Sequence, residues 1–185
     1  PFDPDKARQL LADAGYADGS GFGELIINTF VSNALPMMPE AAQLVADFWR
    51  RELGLDVEVK IGESAALKKA VKLTPDLYGQ ILMRDAVNAL DGGAYMRGQW
   101  GTANRNDRQH NDPELFAQVN KALTIFEPEE RKRIVHETLL RMREEANQIN
   151  LGYINIPWGV GPRVITWQPY PMAPYPSALH TVTLK

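Results

Sequence analysis

The sequence predicts an α/β fold, with helices packed on a largely parallel sheet and a proline-rich segment at the carboxyl end. Up to Met83 the hydrophobic pattern switches between a period near 3.6 and a period of 2, giving elements in the order α-β-α-β-α-β. Parallel neighbours need crossover helices of this kind. Beyond Ile156 the texture changes to prolines interleaved with aromatics.

Asp3 followed by Pro4 reads as an N-cap and a first helical residue; Ala7, Leu10, Leu11 and Ala14 then share a face before Gly15 ends the helix. The turn Asp18–Gly23 leads into a strand over Leu25–Val31, rich in Ile, Thr, Phe and Val. Its glycines follow a helix and open a strand, the reverse of a phosphate-binding loop. A second helix is predicted over Pro39–Leu53, with Ala41, Leu44, Val45 and Phe48 inward, Arg50 and Arg51 in the last turn and Gly54 as terminator. Leu55, Val57, Val59 and Ile61 alternate with Asp56, Glu58 and Lys60, the pattern of a half-buried strand. A short helix over Ser64–Leu73 and a strand over Leu77–Met83 complete the alternation.

Further on, Asp112-Pro113-Glu114 caps a helix with Leu115, Val119, Ala122 and Phe126 on one face. Glu127-Pro128 opens another, running to about Asn147, with Val135, Leu139, Met142 and Ala146 inward. Pairs four apart, Glu129 with Arg133 and Glu137 with Arg141, suit its solvated side. Leu151–Trp158 reads as one more strand. In the last segment Pro157, Pro162, Pro169, Pro171, Pro174 and Pro176 exclude central-strand pairing over much of its length. Trp158, Trp167, Tyr170 and Tyr175 are too many aromatics for a disordered linker, so this tail is expected to lie against something.

The chain has 185 residues, 44% of them hydrophobic, enough for one substantial core or one domain with an extension. Its 20 basic and 23 acidic residues leave a net charge of −3, which does not suit a nucleic-acid partner. The absence of cysteine removes disulfides, thiolate metal sites and cysteine nucleophiles together. No apolar run reaches the roughly 20 residues that span a bilayer. The chain opens on Pro1 rather than Met, as a piece of a longer protein would.

Between the predicted strand Leu77–Met83 and the helix capped by Asp112 lies Asp85–Arg108, without helix or strand periodicity. In open parallel sheets, ligands collect beyond the carboxyl ends of strands, and this stretch begins at such an end. Its chemistry is that of recognition. Tyr95 and Trp100 can stack on a ligand, Arg84, Arg97 and Arg105 can grip carboxylate or phosphate oxygens, and Asn88 and Asp91 supply acceptors. The same arginines can equally pair with Asp85, Asp107 or Asp112, and Trp100 can pack under the loop. His110, His136 and His180 lie far apart without metal-ligand spacing, and the sequence holds no nucleophile elbow. Asp85 and Asp91 are the acidic pair an acid–base mechanism would use. No cofactor is implied.

Several stretches together resemble the carboxyl-terminal part of the peptide- and nickel-type, family 5, extracellular solute-binding proteins of ABC importers. Phe2-Asp3-Pro4-Asp5-Lys6-Ala7-Arg8-Gln9-Leu10-Leu11-Ala12-Asp13-Ala14-Gly15-Tyr16 is similar to that family's recurring YDPEKAKQLLAEAGY segment. Ala42–Ile61 resembles its helix-to-strand unit. Asn111-Asp112-Pro113-Glu114-Leu115, Glu127-Pro128-Glu129-Glu130-Arg131-Lys132 and Asn155-Ile156-Pro157-Trp158 follow in the family's order.

The resemblance implies a periplasmic-binding-protein-like second lobe, a mixed sheet flanked by helices, over residues 1–156, with residues 157–185 returning to a missing N-terminal lobe. It further implies a non-enzymatic role: capture of a small solute (peptide, sugar or anion) by two-lobe closure and delivery to an ABC permease, in the periplasm or on an extracellular lipid anchor. Peptide-binding members carry a W-x-A-D-Y-x-x-P pattern whose aspartate pairs with the ligand's amino terminus; here Asn88 stands about where that aspartate would. An amide supplies no countercharge, so either Asp91 replaces it or the ligand is not a free-amino peptide. The alternatives are a self-contained α/β enzyme domain using Asp85, Asp91 or His110 on a small polar substrate, and a scaffold whose contact surface is the aromatic tail.

Overall fold

A computed structural model of the chain describes residues 2–33, 35–73, 79–85, 92–93, 95–96, 112–146, 148–152, 157–170 and 176–185. These form two compact units that divide near residue 86.

In the first unit, α1 (Pro4–Asp13) begins as its sequence dictates: the Asp3 carboxylate accepts from the Lys6 N–H at 2.9 Å, with Pro4 in the first turn where its missing N–H is harmless. β1 (Glu24–Thr29), α2 (Met38–Leu53), β2 (Asp56–Ile61), α3 (Ser64–Leu73) and β3 (Ile81–Leu82) follow. The strands form a parallel sheet in the order β2-β1-β3, with Ile27 level with both Val59 and Ile81. Of the strand expected over Leu77–Met83, Ile81 and Leu82 pair with β1, and the Met83 N–H donates to the Asn28 carbonyl at 2.8 Å. Its first residues, 77 and 78, lie outside the described residues.

Leu25, Ile27, Ala42, Ala46, Leu55 and Val57 make the core between α2 and the sheet. The inward face of α2 is therefore turned from the expected one. Ala42 and Ala46 are fully buried, Val45 and Trp49 flank them, and Leu44 and Phe48 are exposed. Small side chains let the helix axis approach the sheet, while the larger ones lie along the flank. Phe48 is partly covered there by Phe2, edge to face at 6.3 Å, and by the Arg51 guanidinium at 4.9 Å from its ring centre. On β2 the alternation holds for Leu55, Val57 and Val59, but Ile61, at the carboxyl end, is exposed.

Two turns lock together at one corner. Gly54 ends α2 in the left-handed conformation, φ 67°, its N–H returning to the Arg50 carbonyl. A Cβ there would run into the Asp18 carbonyl oxygen, and one on Gly19, φ 75°, into that of Gly54. Beside this corner Arg8 of α1 donates to the Glu52 backbone oxygen at 3.1 Å and to its carboxylate at 3.2 Å.

In the second unit, α4 (Pro113–Thr124) and α5 (Pro128–Glu144) pack around Met96, Leu115, Val119, Ala122, Ile134 and Met142. Asp112 does two jobs. One carboxylate oxygen accepts from the Leu115 N–H at 2.9 Å and caps α4; the other accepts from Arg141 of α5 at 2.6 Å.

Three expectations on these helices are corrected. Phe126 does not share the buried face, because α4 ends at Thr124 and Ile125 is extended, so the helical phase is lost before the ring. On α5 the buried positions are Ile134, Thr138 and Met142, leaving Val135 and Leu139 on the flank and Ala146 beyond the helix end. Thr138 fits the core because its hydroxyl donates to the Ile134 carbonyl at 2.7 Å. The ion pairs also shift: Arg133 meets Glu137 at 2.8 Å, and Arg141, drawn toward Asp112, meets Glu145 at 2.7 Å.

Most of the strand expected over Leu151–Trp158 lies outside the described residues, and residues 151–152 and 157–158 have no regular structure. The tail folds on itself. β4 (Val164–Thr166) pairs antiparallel with β5 (Thr183–Leu184), Trp158 and Trp167 meet edge to face at 5.5 Å, and the Trp167 indole donates to the Ser177 carbonyl at 2.8 Å. Among the described residues no helix is long and apolar enough to cross a membrane.

Gly54→Ala should cost about 2–3 kcal/mol in urea unfolding, since it adds a backbone clash to left-handed strain. Gly21→Ala, at φ 76° with open space around its Cβ, should cost only about 1 kcal/mol. The Glu52 carboxyl is held below its ordinary value, chiefly by the hydrogen bond from Arg51 and then by that from Arg8. A depressed carboxyl stabilises the fold at pH values above its unfolded value and loses that contribution as the pH falls through the folded one. Wild type should therefore lose stability on acidification through and below the ordinary glutamate range by more than Glu52→Gln does, as read from urea midpoints across that range.

Candidate functional site

The carboxyl ends of the three parallel strands meet around the exit of β1. The Gly62 N–H, just after β2, donates to the Thr29 carbonyl at 2.8 Å, while the Asn28 carbonyl takes the bond from Met83 after β3. The Asn28 side-chain amide, itself buried, donates to the Gln80 side-chain oxygen at 2.6 Å, so the entry to β3 is tied to the same strand. Past the sheet, the Ser32 hydroxyl donates to the Asp85 carboxylate at 2.9 Å, joining the segments that leave β1 and β3. Arg84 lies half-buried beside this link, its Nε donating to the Asp85 carbonyl at 3.3 Å. A parallel sheet directs all its strand exits to one edge, which makes that edge a natural place for a ligand.

Thr29 has no exposed surface, and its hydroxyl makes no hydrogen bond among the described residues. A buried hydroxyl left in this way destabilises a fold. It sits at the last position of β1, next to the edge just described.

Of the residues expected to contact a ligand, Arg84 stands at this edge in the first unit, and Tyr95 belongs to the second. The Tyr95 ring packs on the helical core, and its hydroxyl accepts from the Gln148 side-chain amide at 2.6 Å. Asn88, Asp91, Arg97, Trp100 and Arg105 lie outside the described residues. Sequence reasoning missed Ser32, Asn28 and Gln80, which hold the exits together. It also missed Met96, which is fully buried in the helical core. An apolar residue beside Tyr95 amid glycines and polar side chains was the available signal.

The sequence profile described as "Bacterial extracellular solute-binding proteins, family 5 Middle" matches residues 1–107, more than half the chain and all of the three-stranded parallel sheet. The chain belongs to the family 5 bacterial extracellular solute-binding proteins. Heme-binding protein A of Haemophilus influenzae is 27% identical over 157 residues, 83% of this chain and 28% of that protein. Among solved structures, a periplasmic oligopeptide-binding protein from Borrelia burgdorferi matches with a TM-score of 0.64 at 20% identity, over 77% of this chain and 28% of that one. NikA from Brucella suis, solved with Fe(III)-EDTA, matches with a TM-score of 0.61 at 19% identity, over 78% and 31%. At these identities the structural likeness establishes the fold, which is that of periplasmic binding proteins. The chain thus spans under a third of the length of these relatives.

Thr29→Val keeps the shape of the side chain and removes the unpaired hydroxyl. It should stabilise the chain by about 1 kcal/mol in urea unfolding; a loss of similar size would mean that the hydroxyl has a partner after all.

Proposed function

We propose that this chain is the second lobe of an extracytoplasmic solute-binding protein that captures a small polar solute by closing on a first lobe and hands it to an ABC permease. The observation that supports this most is the coincidence of two things: family membership over residues 1–107, and a parallel sheet within that span whose strand exits are gathered at one edge by Asn28, Ser32 and Asp85. On this reading residues 1–156 are the lobe, and residues 157–185 are the segment that returns to the first lobe. The ligand face runs from Arg84 through Asn88, Asp91, Tyr95, Arg97, Trp100 and Arg105. Binding requires no chemistry on the solute, so the enzyme alternative is not carried forward. The protein works outside the cytoplasm, in the periplasm or held to the membrane by a lipid anchor.

Of the relatives named above, one is described as binding heme, one as binding oligopeptides, and one was solved in complex with Fe(III)-EDTA, so one frame accommodates very different solutes. Asn88 and Asp91 bear on the choice. With an amide where a peptide binder needs a carboxylate, a free ammonium has its countercharge only in Asp91. A solute carrying carboxylates, gripped by Arg97 and Arg105, needs none.

A single lobe presents one side of the ligand face, and the binding free energy of such proteins depends on closure over both. Titration of the tryptophan fluorescence of the 185 residues with di- to pentapeptides and with sugars should show no saturation below about 1 mM. Saturation at micromolar concentration by this chain alone would overturn the two-lobe account.

A further inference from the structure

A concave surface lies within the second unit, along one side of α5. Its wall is formed by positions 131, 132, 135, 136 and 139, the three- and four-residue spacing of a single helix face. The opposite side is the short helical segment at residues 92–93. Gly92 is what allows that segment to come so close, because a Cβ there would lie 2.9 Å from the Val135 side chain. The cleft between them has a volume of about 560 Å³ and is largely open to solvent, a shape that suits a small ligand lying on the surface.

Its lining is divided by chemistry. Phe126, Val135 and Leu139 are apolar, and Phe126, lifted out by the break between α4 and α5, has 95% of its surface exposed. Arg131, Lys132 and His136 supply the polar part, in a chain whose net charge is −3. The acidic residues of the first turn of α5 do not line the cleft. Glu127 is turned to the helix end, where it accepts from the N–H groups of Glu129 and Glu130 at 3.2 and 2.6 Å. Arg131 already has an interaction of its own, and Lys132 and His136 are the other polar donors of the lining.

We propose that this cleft binds a small amphipathic carboxylate, its apolar or aromatic body against Phe126, Val135 and Leu139 and its carboxylate on Lys132 and His136. A covering ring would take Phe126 out of water while the carboxylate gains a charge-assisted hydrogen bond. The site is complete within one compact unit and needs no second lobe. Its failure would leave the lobe reading intact, and the peptide titration above bears on that reading alone.

The test is methyl NMR of the 185-residue chain, following Val135 and Leu139. The probes are 3-phenylpropionate, the neutral 3-phenylpropan-1-ol, and propionate. Saturable shifts are expected with phenylpropionate, with each of the other two at least about tenfold weaker. Phe126→Ala and Lys132→Glu should each weaken phenylpropionate by about tenfold, and Lys132→Arg should retain it, with melting temperatures unchanged since both residues are exposed. No saturable shift, equal binding of the alcohol, or binding unmoved by Lys132→Glu would overturn the proposal.

Discussion

Strand β1 has a hydrogen-bonded neighbour on each edge, and the first unit depends on that double pairing. A central parallel strand must be covered on its faces and matched in register on both sides at once. Ile27, level with Val59 and Ile81, meets the second demand, and Ala42 and Ala46 of α2 meet part of the first by letting the helix lie close. The same pairing fixes where the chain leaves the sheet. Because the carbonyls of Asn28 and Thr29 take bonds from Met83 and Gly62, all three strand exits are held at one edge before any ligand arrives.

That arrangement has consequences for recognition. On the proposed reading, a site that works by closure of two lobes gains from surfaces that are already ordered, since ordering on binding detracts from affinity. The Ser32–Asp85 and Asn28–Gln80 hydrogen bonds supply order at the edge of the sheet. In the second unit Asp112 plays the comparable part, capping α4 and pairing with Arg141 of α5 through its two oxygens. Arg141 and Asp112 are only partly exposed, so this pair is less screened than the surface pair Arg133–Glu137. The first unit thus combines backbone pairing with two side-chain links, and the second uses one bifunctional carboxylate.

Much of this architecture is legible in the residues. The Asp3-Pro4 and Asp112-Pro113 caps, the terminator Gly54 and the alternation from Leu55 to Val59 each predict what they form, because each acts over a few residues of backbone. The errors share a cause. Leu44, Phe48, Phe126 and Leu139 were counted inward for their hydrophobicity, yet each is displaced by something periodicity does not register. These are the closeness allowed by two alanines, the early end of α4, and a threonine that satisfies its own hydroxyl within the helix. For the candidate site, most of the recognition residues expected after β3 fall outside the described residues, while Ser32, some fifty residues earlier, and the cleft along α5 were invisible to the sequence.

By itself, then, the sequence determined the order and kind of the elements from α1 to α5, most of their caps and the family to which they belong, since these rest on interactions between near neighbours in the chain. Only the tertiary structure decided which face of each helix is buried, which carboxylate meets which arginine, and which distant residues share an edge or a cleft. Those outcomes depend on the distance of approach between packed elements and on competition among partners in space, and neither quantity is written along the chain.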